Sequence, residues 1–356
     1  MTLRSRRSLL QVGAAVAVAV ALPVTGRTDL ATAQDATPAA AAATPPATSL
    51  GWNDELVEGN GKLNVVSTVA PISSIVRNVG GTLIDLRGVV PDGTNSHTFE
   101  PAPSDAQILA AADLIVVNGL ALEEPTIELA EANLKDGAVI VALGERTIDS
   151  EQWVFDFSFP ESDGAPNPHL WTNVPYAMRY AELVAETLSA RDPDNAAAYA
   201  ENLDRFLAVL DRLDAAILEA VRTIPEANRR LLTYHDSWAY FAPHVGIEVI
   251  GAAQPSDFSE PSPREVAALI DQIREEQVPA VFGSEVFPSD VLEQIAEEAG
   301  AAYVDQLRDD DPPGEPNAPE HTYVGMMLRN MELMIPALGG SVAALDGIQP
   351  YDTYVR

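Results

Sequence analysis

Between residues 193 and 223 an apolar side chain returns at steps of four and three: Tyr199, Leu203, Phe206, Leu210, Leu213, Ile217 and Val221. Such a series falls on one face only in an α-helix. Asp192 stands ahead of it as a candidate cap, Pro193 suits the first helical position, and Pro225 closes it. At about 1.5 Å per residue the helix is about 45 Å long. That is longer than one small domain needs, and it predicts a strut shared by two lobes; the alternative is two shorter helices broken near the middle.

On both sides of the strut, short apolar runs alternate with helical patterns. Before it, strands are expected at 63–69, 84–90, 114–117 and 139–143, with helices at 72–79, 104–112 and 126–134. After it, strands are expected at 231–234, 247–250, 280–282 and 302–304, with helices at 263–276 and 289–299. This rhythm predicts βαβ units and an α/β fold of two lobes with mostly parallel sheets, joined by one long backbone helix. A chain of 356 residues, 47% of them hydrophobic, has enough apolar surface for two cores.

The amino terminus follows a different logic. Arg4, Arg6 and Arg7 precede an apolar run over 12–24 and the small residues Ala31-Thr32-Ala33, the pattern of an export signal over 1–33. Ser5-Arg6-Arg7-Ser8 fits a twin-arginine signal and equally a general secretory one. Residues 34–61 follow as an Ala/Pro/Thr-rich linker, then a first lobe over 62–192, the connecting helix over 193–224 and a second lobe over 225–356. A net charge of -32 repels nucleic acid and anionic lipid and suits a protein that attracts cations. With no cysteine, disulfides, thiolate metal sites and a lipid-bearing cysteine are all excluded within this sequence. No stretch beyond the signal is apolar enough to span a bilayer. A soluble, exported monomer on the periplasmic or outer face of the membrane is expected.

Five histidines occur, and three lie in loops after expected strands, at the edge where parallel sheets bind ligands: His97, His169 and His235. Neutral imidazoles suit zinc, and one carboxylate would complete a four-coordinate site. Asp305, directly after the apolar run Ala301-Ala302-Tyr303-Val304, is the candidate carboxylate. Glu285 is a second candidate, either as a ligand or as an acceptor for an imidazole N–H. His244 and His321 read as ordinary residues.

Five motifs in order carry a resemblance. They are Val90-Pro91-Asp92-Gly93 leading to His97-Thr98-Phe99-Glu100-Pro101, the run from Ala112-Asp113-Leu114 to Asn118-Gly119-Leu120, Asn167-Pro168-His169-Leu170-Trp171, His235-Asp236-Ser237-Trp238, and Tyr323-Val324-Gly325-Met326-Met327. Over nearly all of 62–354 the sequence resembles the cluster A-I zinc and manganese receptors of ABC importers, some of which are called adhesins. The resemblance implies two lobes on a backbone helix with a divalent metal in the cleft, captured for an importer permease. It implies His97 and His169 as first-lobe ligands, with His235 and Asp305 from the second lobe. Histidine at the third position is the zinc-directed form, with manganese still open. Unlike many zinc members, the segment 144–168 contains no histidine.

Two other classes are compatible with parts of this pattern. Three histidines also build catalytic zinc sites when the fourth position is water, but no His-Glu-x-x-His or Gly-x-Ser-x-Gly occurs, and a carboxylate would fill that position. The expectation is a binding protein and not an enzyme. An adhesin or interaction protein is the non-enzymatic alternative.

Overall fold

Four short strands build the first sheet: Leu63–Ser67 (β1), Ile84–Gly88 (β2), Leu114–Val117 (β3) and Val139–Ala142 (β4), in the order β2-β1-β3-β4 with every pair parallel. The central strand β3 is Leu-Ile-Val-Val and wholly buried, as a parallel strand covered on both faces must be. The crossovers are Ala70–Gly80 (α1), Asp105–Ala111 (α2) and Glu124–Glu131 (α3).

The computed structural model describes residues 50–355 apart from Asp257 and Pro288. The expected export signal and the linker up to residue 49 lie outside the described residues. The rest of the expected linker does not behave as one. Trp52 is buried, Asn53 bridges Arg87, and buried Arg77 of α1 donates to the Gly51 carbonyl at 2.7 Å and to Asp54 at 2.5 Å. Packing on the first lobe therefore begins about ten residues ahead of β1, because a tryptophan and a buried guanidinium each need this segment to cover them.

The strut starts as a 3-10 turn, Pro193–Asn195, and continues as one unbroken helix, Ala196–Arg222 (α5), 27 residues or about 40 Å. Asp192 does not cap the backbone; its Oδ2 accepts from the Asn195 amide at 2.7 Å and the Tyr199 hydroxyl at 2.8 Å. The expected apolar face is buried except for Leu203, which is half-buried. Ahead of the strut runs Val174–Arg191 (α4), which packs along it.

The second sheet repeats the first: Arg230–Thr233 (β5), Glu248–Ala252 (β6), Ala280–Ser284 (β7) and Ala302–Leu307 (β8), in the order β6-β5-β7-β8, all parallel. Its helices are Phe241–Val245 (α6), Pro263–Glu276 (α7) and Asp290–Ala299 (α8). Ser262 and Glu265 form a reciprocal cap that starts α7. A final helix, Tyr323–Ala337 (α9), packs on α5, α1 and β8. The sequence showed no helix at α4 or α9. In α9 ten of the first thirteen residues are buried, so apolar side chains occur all round it and no stripe marks it out.

One apolar core runs from the first sheet through α4, α5 and α9 to Leu231 and Phe282 on the inner side of the second sheet. A separate core lies beneath α7 and α8. The lobes thus share buried surface along the strut. Among the described residues, no helix is long and apolar enough to cross a membrane.

Candidate metal centre

Both sheets point their carboxyl edges at one place. His97 lies in the loop after β2, in a short turn where the Asn95 side chain accepts the His97 backbone N–H at 2.9 Å. His169 lies between β4 and α4, and His235 follows β5 by two residues. Their Nε2 atoms converge: 3.0 Å between His97 and His169, 3.1 Å between His97 and His235, and 3.2 Å between His169 and His235. The three expected histidines are brought together, and they are the described residues whose donor atoms cluster closely enough to hold an ion.

Neighbouring side chains decide which nitrogen carries the proton. Asn167 Nδ2 donates to Asp156 at 2.7 Å and to the Asp236 carbonyl at 2.6 Å, which turns its Oδ1 to His169 Nδ1 at 2.9 Å. Gln254 Oε1 meets His235 Nδ1 at 3.0 Å. An amide oxygen only accepts, so both Nδ1 atoms carry the hydrogen and both Nε2 lone pairs face inward. Two inward lone pairs 3.2 Å apart repel each other unless a cation stands between them.

Aromatic rings wall the cage. Phe159 lies 5.4 to 5.6 Å from all three imidazoles, and Phe258 stacks on His97 at 4.9 Å. Phe258 holds a left-handed backbone, φ 57°, an uncommon conformation for a bulky residue. Desolvation inside this box, and then the neighbouring imidazoles, lower the pKa of His97 and His169 well below the ordinary value. Burial brings His235 down to about 4, against a smaller opposing effect from Gln254. All three are neutral at neutral pH, the form that ligates metal.

Asp305 does not reach the cage. β8 does not end at Val304; its register with β7 shifts between Phe282 and Ser284, and Gln306 takes φ 66°. This bulge leaves Asp305 exposed, with Oδ1 3.5 Å from the Tyr303 hydroxyl. Beyond it, Leu307 turns back into the core and Asp309 arrives at the cage, buried, with Oδ2 3.6 Å from His169 Nε2. The carboxylate that the fold sets beside a cage histidine is thus Asp309 and not the expected Asp305. The available signal was the run Asp309-Asp310-Asp311 directly after the last strand.

Glu285 takes neither of its expected roles. Its Oε1 accepts the backbone N–H groups of Asp309, Asp310 and Asp311, each at 3.0 Å. Burial, then Glu285 and Asp310, raise the Asp309 pKa well above the usual carboxylate range. Burial likewise brings Glu285 up to about 6 and Asp310 to about 7. A cation in the cage would offset this crowding of negative charge. Of the remaining histidines, His244 meets Asp214 at 2.7 Å, and His321 stacks on Trp52 with Nε2 3.6 Å from Asp92.

Known proteins share this arrangement of lobes. The family model described as zinc-uptake complex component A, periplasmic (ZnuA) matches residues 65–337. The manganese-binding lipoprotein MntA of Halalkalibacterium halodurans is 30% identical over 281 residues, which cover 79% of this chain and 90% of that protein. The zinc-binding protein TroA of Treponema pallidum is 29% identical over 283 residues, 78% of this chain and 90% of TroA. The solved structure of TroA superposes with a TM-score of 0.70 at 28% identity, covering 78% of this chain and 99% of that one. The manganese-bound periplasmic metal-binding protein of Candidatus Liberibacter asiaticus gives 0.66 at 26% identity, covering 77% and 98%. MntA is named a lipoprotein, whereas this sequence has no cysteine to carry a lipid. With one family model spanning most of the chain and the two-lobe fold in common, this chain belongs to the ZnuA family of metal-binding receptors of ABC importers, whose members carry metal and are not enzymes.

Proposed function

We propose that this protein is exported, captures zinc between its lobes through His97, His169, His235 and Asp309, and delivers it to the permease of an ABC importer. The observation that carries the proposal is the convergence of three Nε2 atoms at 3.0 to 3.2 Å. Donors on a tetrahedral zinc ion with bonds of about 2.0 Å stand about 3.3 Å apart, so the cage has nearly the right edge length before any ion enters. Asp309, with Oδ2 3.6 Å from His169 Nε2, is the carboxylate placed to close on the ion as a fourth donor.

Zinc is favoured over manganese by the donor set. Three neutral imidazoles and one carboxylate suit a four-coordinate borderline ion, whereas manganese is better matched by oxygen-rich octahedral sites. The relatives include proteins named for each metal, so the family leaves the ion open.

Titration calorimetry of metal-stripped protein with each ion tests this. One zinc ion per chain is expected, bound more tightly than manganese. Removing a ligand with His97→Ala or Asp309→Ala should weaken zinc by more than the roughly 10- to 100-fold typical of outer-shell changes, while Asp305→Ala leaves it unchanged. Tighter manganese binding would overturn the choice of ion, and no binding at all would overturn the function.

A further inference from the structure

The acidic run after β8 does more than supply one carboxylate. A single oxygen of Glu285 gathers three consecutive backbone N–H groups, those of Asp309, Asp310 and Asp311. Peptide groups that turn their N–H bonds toward one point curl the chain around it, as in backbone anion nests, and their side chains fan outward. Glu285 itself is held beside the run, because its own N–H donates to the Leu307 carbonyl at 3.1 Å.

The three aspartates fan out to two destinations. Asp309 turns to the cage, its carboxylate near His169 and its carbonyl accepting Trp171 Nε1 at 2.8 Å. Asp310 and Asp311 turn to the first-lobe loop that carries His97. Asp310 accepts from the Ser96 hydroxyl at 2.8 Å and the Ser96 N–H at 3.1 Å, and Asp311 accepts from the Gly93 N–H. Ser96 is the residue immediately before His97.

We infer that Glu285 is a positioning residue which, by shaping the 309–311 run, locks the first-lobe loop of His97 to the segment of Asp309, so that these two ligands from opposite ends of the chain are held and released as one unit. This rests on the proposed role of the cage in binding metal and adds a mechanism to it. Neither ligand can then leave the ion without disturbing the other, and a permease that displaced the 91–99 loop would open both sides of the site at once. Metal occupancy and docking of that loop become coupled through contacts that never touch the ion.

Three variants test the coupling: Glu285→Ala, Glu285→Gln and Asp310→Ala. The readouts are zinc affinity by chelator competition, the visible spectrum of the cobalt(II) form, and hydrogen exchange of amides 92–98. Glu285→Ala should lose about tenfold or more in zinc affinity, shift the cobalt spectrum, and speed exchange in the 92–98 loop although the altered residue lies in the other lobe. Glu285→Gln keeps a carbonyl oxygen for the three N–H groups and should recover most of each effect. Asp310→Ala should leave the cobalt bands in place yet speed loop exchange and weaken zinc.

Wild-type affinity and spectrum in Glu285→Ala would overturn the inference. So would unchanged loop exchange in both alanine variants. If Glu285→Ala does not fold, Asp310→Ala decides alone, with unchanged loop exchange as the failing result. If the wild type takes up no metal, the proposed function fails; loop exchange in the metal-free variants still tests whether the run holds the loop.

Discussion

Asn167 and Gln254 set the chemistry of the cage without entering it. Each presents an amide oxygen to an Nδ1 atom, so each imidazole offers its Nε2 lone pair without a prior change of tautomer. Replacing Asn167 by Ala should weaken zinc about 10- to 100-fold, and Asp, which keeps an acceptor oxygen, should restore part of it; a chelator competition series checks both. His235 also leaves a mark on stability. Its pKa in the fold is about 4, below the ordinary 6.5, so its contribution is fully present above 6.5 and is lost as the pH falls toward 4. Across that window the stability advantage of metal-free wild type over His235→Gln should shrink by on the order of 3 kcal/mol, measured by urea unfolding at stepped pH. An advantage that stays level from pH 7 to 4 would show that the imidazole is not held neutral.

At the scale of elements, the strut and the bulge of β8 do the positioning. Leu210, near the middle of α5, is fully buried in the core that both lobes share. Leu210→Ala should cost about 2 to 5 kcal/mol. Because α5 serves both lobes, the loss should appear as one cooperative transition, with near- and far-ultraviolet dichroism changing together in denaturant. Two separate transitions would mean that the lobes are stabilised independently. The bulge acts through direction rather than energy: by inserting one residue opposite Gly283 it reverses which side chains face inward beyond Val304. Asp305 and Asp309 are only four residues apart, yet this decides which of them meets His169.

For the whole molecule, the shared core restricts how far the lobes can move. Hydrogen bonds also cross the junction, from Thr172 to the Ser237 carbonyl at 3.0 Å, from Asn173 to the Tyr240 carbonyl at 2.8 Å, and from the Tyr323 N–H to Ser74 at 2.8 Å. Small sliding of packed elements is therefore expected on metal release instead of a wide hinge opening. X-ray scattering with and without zinc should differ in radius of gyration by on the order of 1 Å or less. Bound metal should instead show itself as stability. At a free concentration near 1,000 times the dissociation constant it adds about 4 kcal/mol, seen as a higher unfolding midpoint.

The amino-acid sequence by itself determined the alternation of strands and helices, the strut and the three histidines. Apolar periodicity reports how a segment meets water, and imidazoles in loops after strands stand out where so few exist. The sequence could not show α9, where burial on most sides removes the period, or the packing of Trp52, whose stacking partner His321 lies near the other end of the chain. Only the tertiary structure chose Asp309 over Asp305 and gave Glu285, Asn167 and Gln254 their partners. Those outcomes depend on one inserted residue in a strand and on hydrogen bonds between segments far apart along the chain, and neither leaves a repeating pattern in the order of the amino acids.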